Sequence, residues 1–304
     1  MKTYSVKIKP LTGFGDFIKG DTLFGHICWQ LCYDPKIFGK SLDELLNDYD
    51  KNPFIVLSSA YPVVNNKIYL KRPALPLSML FDISEEEIVK NRKELKRRNY
   101  FAFEQPLNLL RKINYESLSF FKEQEQTRCS INRLTNTTTE PPFAPYNVGK
   151  IFFNCDLVVF AGLRDDININ SFLEILSRIG KHGYGKDATV GYGKFDIISW
   201  EEIDLLNTAK SPNALYTLSP LCPDSAQTEK IYFNPFVRFG RHGDILSKSK
   251  NPFKNPVIFA DEAAIVFTKA EIIKPYIGKV VRDISKALPE AVTQGYSLVI
   301  KVEV

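Results

Sequence analysis

Residues 3–31, TYSVKIKPLTGFGDFIKGDTLFGHICWQL, change hydrophobic period within one short span. From 3 to 9 the pattern alternates. Tyr4, Val6 and Ile8 share one face and Ser5, Lys7 and Lys9 the other, which predicts a half-buried strand. A glycine-rich turn follows at Gly13, Phe14 and Gly15 and ends at Gly20. Asp21 is placed to cap a helix, and Leu23, Phe24, Ile27, Cys28 and Leu31 form its apolar stripe. His26, Trp29, Gln30 and Tyr33 fall on the opposite side.

The pattern repeats downstream. Ser41 and Glu44 make a capping box for a second helix, and 54–60 (FIVLSSA) predicts a strand. From about 62 to 150 the chain turns rich in Pro, Asn, Thr and charge, with one polar helix announced by Ser84 and Glu87. Residues 151–160 (IFFNCDLVVF) predict a strand, and Phe172, Ile175, Leu176 and Ile179 a helix that stops at Gly180. Residues 194–200 (KFDIISW) predict another strand. The order is β-α-β, insertion, β-α-β, the split βαβ of a ferredoxin-like fold. Beyond residue 200 there are strand-like runs at 230–239, 256–259 and 264–268, a helix at about 276–288 and a closing strand over 297–304. The expected class is α+β with two ferredoxin-like (RRM-like) domains. The first, 1–200, carries a thumb-like insertion at about 62–150 and a Gly-rich loop at 180–193. The second, 201–304, is degenerate.

The 304 residues carry a net charge of +5, which permits a polyanionic partner without demanding one. No stretch approaches the ~18 consecutive apolar residues of a membrane span, and MKTYSVKIKP lacks a signal-peptide core. A cytoplasmic protein is expected. The five cysteines form no Cys-x-x-Cys pair and there are only three histidines, so neither a metal nor a cofactor is expected.

Residues 180–193, GKHGYGKDATVGYG, hold five of the sixteen glycines. Lys181, His182 and Lys186 alternate there with Tyr184 and Tyr192, and Lys194 follows. Glycines such as Gly183 and Gly185 let backbone N–H groups approach a phosphate, lysines supply charge, and tyrosines can stack on bases. The loop is neither a Walker loop nor a dinucleotide fingerprint, since it leaves a helix and enters a strand. From the residues alone, a single-strand RNA grip and a plain helix-to-strand connection are both open.

The run 180–195, GKHGYGKDATVGYGKF, resembles the glycine-rich loop of the RAMP superfamily of CRISPR systems. More narrowly it is similar to the fourth subunit of Csm-type, type III-A effectors. GDTLFGHICW (20–29) resembles that family's first-helix motif, and RCSINRLT (128–135), followed by Tyr146, resembles its Arg, Asn-Arg, Thr and aromatic segment. The resemblance implies a non-catalytic subunit that holds the 5′ handle of the guide RNA. It would sit between the large polymerase-like subunit and the first copy of the repeating backbone subunit, meet target RNA transiently, and touch no membrane. Lys19, His26, Arg128, Arg133, Lys181, His182, Gly183, Tyr184, Gly185, Lys186, Tyr192 and Lys194 become expected RNA contacts.

Arg238, Arg241 and His242 join them from a tail cluster that also holds Lys248, Lys250 and Lys254 among Phe236, Phe239 and Phe253. Interleaved cations and aromatics suit single-stranded nucleic acid, and they suit a docked subunit equally. The basic run 90–112, with Lys90, Arg92, Lys93, Lys96, Arg97, Arg98, Arg111 and Lys112, falls where the thumb is expected and would face RNA or a subunit. Two alternatives follow from the same resemblance. One is a metal-independent, guide-processing endoribonuclease with His26 as its acid–base group. The other is the equivalent subunit of a Cmr-type complex.

Overall fold

The computed structural model describes residues 1–138 and 141–304, apart from the side chain of Asp244. The first half contains β1 (Lys2–Pro10), α1 (Gly20–Tyr33), α2 (Leu42–Asn47), β2 (Ile55–Val64) and β3 (Lys67–Lys71). Three short helices follow, α3 (Leu77–Leu80), α4 (Glu85–Lys90) and α5 (Arg92–Arg97), then β4 (Tyr100–Ala102). Next come β5 (Phe121–Arg128), β6 (Tyr146–Phe153), β7 (Asp156–Leu163), α6 (Ile169–His182) and β8 (Phe195–Glu202). One six-stranded sheet has the order β4-β3-β2-β7-β1-β8. In it β7 runs antiparallel to both β1 and β2, and β8 antiparallel to β1.

The two expected β-α-β units thus interleave in one sheet. Their helices rest on it as the stripes require: Leu23, Phe24, Ile27 and Leu31 of α1 and Phe172, Ile175, Leu176 and Ile179 of α6 are buried. Both capping boxes form, at Ser41 with Glu44 and at Ser84 with Glu87.

Four local expectations are corrected. Asp21 does not cap α1. Lys19 occupies the N-cap position with no side-chain cap, and Asp21 lies inside the first turn. The run 151–160 is not one strand, because it breaks at Asn154 and Cys155 between β6, which forms a two-stranded sheet with β5, and β7 of the main sheet. The helix α6 runs through Gly180 and ends at Gly183, whose φ is +109° and whose N–H reaches Ile179 O at 2.7 Å. Gly180 is needed for approach instead: a Cβ there would lie 2.2 Å from the Phe195 carbonyl oxygen. Finally, 276–288 is not helical. Tyr276–Gly278 is a strand, and Gly278 (φ +100°) and Asp283 (φ +56°) break any helix.

The second half holds β9 (Ala214–Thr217), β10 (Thr228–Tyr232), β11 (Pro235–Arg238), β12 (Val257–Ala260), β13 (Ile265–Thr268), β14 (Tyr276–Gly278) and β15 (Tyr296–Val302). Five of these form a sheet in the order β10-β13-β9-β15-β14, and β11 and β12 form a separate ribbon. No α-helix occurs among the described residues after 200. The two halves share one core: Tyr216, Leu218, Tyr296, Leu298 and Ile300 cluster with Val6, Phe24, Leu57 and Tyr61. The buried Gln294 side chain bonds both backbone groups of Leu57, accepting from N at 2.9 Å and donating to O at 2.7 Å.

Candidate nucleic-acid interface

The glycine loop leaves α6 and turns back on itself before β8. Gly183, Gly185, Asp187, Gly191 and Gly193 all adopt positive φ, and Tyr184 N–H closes the loop on Gly193 O at 2.9 Å. A Cβ on Gly193 (φ +74°) would lie 2.2 Å from Tyr184 O and 2.6 Å from Tyr184 N, whereas one on Gly185 (φ +73°) meets nothing within 4 Å. Gly193→Ala should therefore cost about 2–5 kcal/mol through strain plus collision, and Gly185→Ala only about 1–2 from strain. Urea unfolding of both variants measures this, and equal costs would remove the close approach as the reason.

Three segments hold the loop's base. From the turn after β1, Thr12 Oγ1 accepts from Lys194 N at 3.0 Å and Gly13 O from Gly193 N at 2.8 Å. From α1, His26 Nε2 accepts from Gly185 N at 3.0 Å. Burial pushes the His26 pKa down to about 4, so the ring is neutral near pH 7 and its Nε2 lone pair is engaged. The expected RNA-contact role of His26 becomes a loop anchor. Tyr184 is 2 % exposed, and its hydroxyl accepts from Lys19 N at 3.0 Å. It is a core residue, not a base-stacking platform.

The third segment is the β5–β6 hairpin. Asp187 takes Arg128 at 3.1 Å and also Lys150, whose side chain is only 1 % exposed. Tyr192 donates to Gln126 Oε1 at 2.8 Å, and its ring receives Lys150 Nζ at 4.1 Å and Arg128 at 5.5 Å. Arg128 is thus tied to the loop, while Arg133 is exposed near the hairpin tip beside exposed Ile131 and Leu134. Lys181 and His182, on the last turn of α6, and Lys186, in the loop, are exposed, and Lys194 is half-buried. Asp187 and Lys150 went unnoticed in the sequence; nothing local marks either as a partner of the other.

The remaining expected contacts lie elsewhere. The basic run 90–112 spans the end of α4, α5, β4 and the segment after it, at the opposite sheet edge from β8, and Arg98 and Arg111 pair with Glu94 and Asp82. Lys19 is spent on Asp261 (2.5 Å) and Glu262 (2.7 Å). Arg238 forms a two-pronged bond to buried Asp21, Nε–Oδ2 2.7 Å and Nη2–Oδ1 3.0 Å. His242 is buried against Ser285 Oγ at 2.6 Å. For Lys19, Arg238 and His242, expected to meet RNA, the structure gives internal partners instead. Arg241 stays exposed over the Phe253 ring. Among the described residues no group of three or more His, Cys, Asp or Glu could hold a metal ion, and no helix is long and apolar enough to cross a membrane.

The chain belongs to the RAMP superfamily, whose model matches residues 9–196. Within that class it has the fold of Csm4. It is similar to a chain of the Csm1-Csm4 cassette in complex with pppApA, with TM-score 0.62 and 18% identity over 100% of this chain and 99% of that one. It is likewise similar to a chain of the Csm3-Csm4 subcomplex of the type III-A CRISPR-Cas interference complex, with TM-score 0.60 and 14% identity over 100% of both. No curated protein sequence matches the chain.

Proposed function

We propose that the protein is a non-catalytic, guide-RNA-binding and scaffolding subunit of a type III-A CRISPR effector, gripping the 5′ handle with its glycine loop. The observation that carries this reading is the loop's division of labour. Its base is bolted down by His26, Tyr184 and Asp187, while Lys186 in the loop and Lys181 and His182 on the last turn of α6 leading into it offer an exposed cationic rim. Such a rim can follow a phosphate backbone without reordering. The β2-β7-β1-β8 order, with α1 and α6 as its crossovers, supports a ferredoxin-like reading of the first half. The second half would be its degenerate counterpart. Relatives in Csm1-Csm4 and Csm3-Csm4 assemblies support a large subunit and a repeating RAMP subunit as neighbours. A scaffolding role is also supported by His26, whose Nε2 is engaged by the backbone and whose pKa of about 4 suits acid–base work near pH 7 poorly.

The test is salt dependence. Replacing Lys181, Lys186 and Lys194 by Ala should weaken binding to single-stranded RNA carrying the guide's 5′ segment. The slope of log K against log salt should fall by about 0.7 for each phosphate that the variant no longer neutralises. A slope equal to the parent's would take the loop out of the interface.

A further inference from the structure

Among the described residues the β5–β6 hairpin pairs with no other strand. Its orientation is therefore not set by the hydrogen-bond ladder of either large sheet. Besides the Tyr192–Gln126 bond described above, three things hold it. Phe14 and Ile151 exchange backbone bonds at 2.7 and 2.9 Å. The rings of Phe17, Phe120, Phe121 and Phe153 pack at its base. Further out, Lys150 of β6 and Arg128 of β5 converge on the single carboxylate of Asp187 in the glycine loop.

The third attachment differs in kind from the other two. An ammonium whose side chain is 1 % exposed is tolerable only when paired, because stranding a buried charge is heavily unfavourable. Swinging the hairpin from the loop would therefore break this pair and pull Lys150 off the Tyr192 ring. Asp187 is held in turn at φ +67°, a left-handed conformation that Asp tolerates better than most residues. Burial opposes its ionisation, yet Lys150 and Arg128 outweigh burial and keep its carboxyl below the usual range.

We infer that Asp187 is a positioning residue that locks the glycine loop to the β5–β6 hairpin, so that the loop's cationic rim and the hairpin's tip act as one rigid jaw on RNA. The consequence for RNA rests on the grip proposed above; the lock itself does not. The sign of one substitution separates this role from plain electrostatics. Asp187→Asn raises the net charge by one, and long-range attraction alone would tighten binding of a polyanion. A broken lock weakens it.

The experiment compares the full chain with Asp187→Asn, Asp187→Glu and the double variant Asp187→Asn/Lys150→Met. Amide hydrogen exchange over 121–128 and 146–153 is read in the free protein, and affinity is read with a short labelled single-stranded RNA carrying the guide's 5′ segment. Asp187→Asn should speed hairpin exchange and weaken RNA binding, each about tenfold, as expected when charge-assisted bonds are removed. Asp187→Glu should recover part of both. The double variant, with no stranded ammonium, should regain thermal stability but neither hairpin protection nor affinity, which a merely structural role would not produce. Unchanged hairpin protection in Asp187→Asn, or RNA binding as tight as the parent's or tighter, overturns the inference. If the parent itself binds no RNA, the grip falls, and the exchange data still decide the lock.

Discussion

Asp21→Ala should destabilise the protein by about 3–5 kcal/mol, the cost typical of removing one partner of a buried ion pair. Asp21 is 4 % exposed and lies at the start of α1, on the first half of the chain. Its partner Arg238 ends β11, 217 positions away, and stacks its guanidinium 4.7 Å from the Phe236 ring. Without the carboxylate, the half-buried guanidinium loses both its bonds and its counter-charge. The alternative account, a missing helix cap, predicts only about 1 kcal/mol and no dependence on Arg238. A double-mutant cycle with Arg238→Met distinguishes them. On the ion-pair account the double variant recovers much of the stability, because a matched apolar replacement of a buried pair is often neutral. Additive effects in urea unfolding would sink the ion-pair account.

Glu262→Ala should have a comparable effect, about 3 kcal/mol or more, seen as a drop in Tm of roughly 5 °C for a chain this long. Glu262 is 5 % exposed and receives Lys19 at 2.7 Å, Lys71, and the Ser59 hydroxyl at 3.3 Å. Burial opposes its charge, but Lys71 and Lys19 prevail and hold its carboxyl below the usual range. Asp261 beside it is pushed up to about 6 by burial and by the neighbouring carboxyl. A depressed carboxyl contributes stability that is fully present above its unfolded value near 4.3 and lost as pH falls through its folded value. The gap between parent and Glu262→Ala should therefore be wide at pH 7 and narrow steadily below about pH 4. A gap of the same width at pH 3 and pH 7 would show that Glu262 acts through packing and not through its charge.

Both pairs join the two halves of the chain, and both involve residues whose sequence setting suggested another role. Lys19 and Arg238 read as RNA contacts and Asp21 as a cap, because a lone basic side chain beside a functional motif looks the same whether it meets a phosphate or a distant carboxylate. Tyr184 misled for a related reason. Lysines and glycines around it mark a binding loop, but its ring lies inside the loop's fold, with its hydroxyl on the Lys19 backbone.

What the sequence alone determined is local. The alternation of Tyr4, Val6 and Ile8 and the stripes of α1 and α6 specify strand and helix, because side-chain direction follows a fixed period along each element. The capping boxes at Ser41 and Ser84 form because donor and acceptor lie three residues apart. Glycine spacing in 180–193 marked the loop, since left-handed turns need residues without a Cβ. Only the tertiary structure decided the continuation of α6 through Gly180, which depends on the Phe195 carbonyl beside it, and the break at Asn154, where the chain passes from hairpin to main sheet. It alone decided which of the loop's side chains face outward. It also decided which cations are already neutralised, as Lys150 is by Asp187 across 37 positions and Lys19 by Glu262 across 243. Burial and charge pairing are set by neighbours in space, and those neighbours come from parts of the chain that local periodicity does not link.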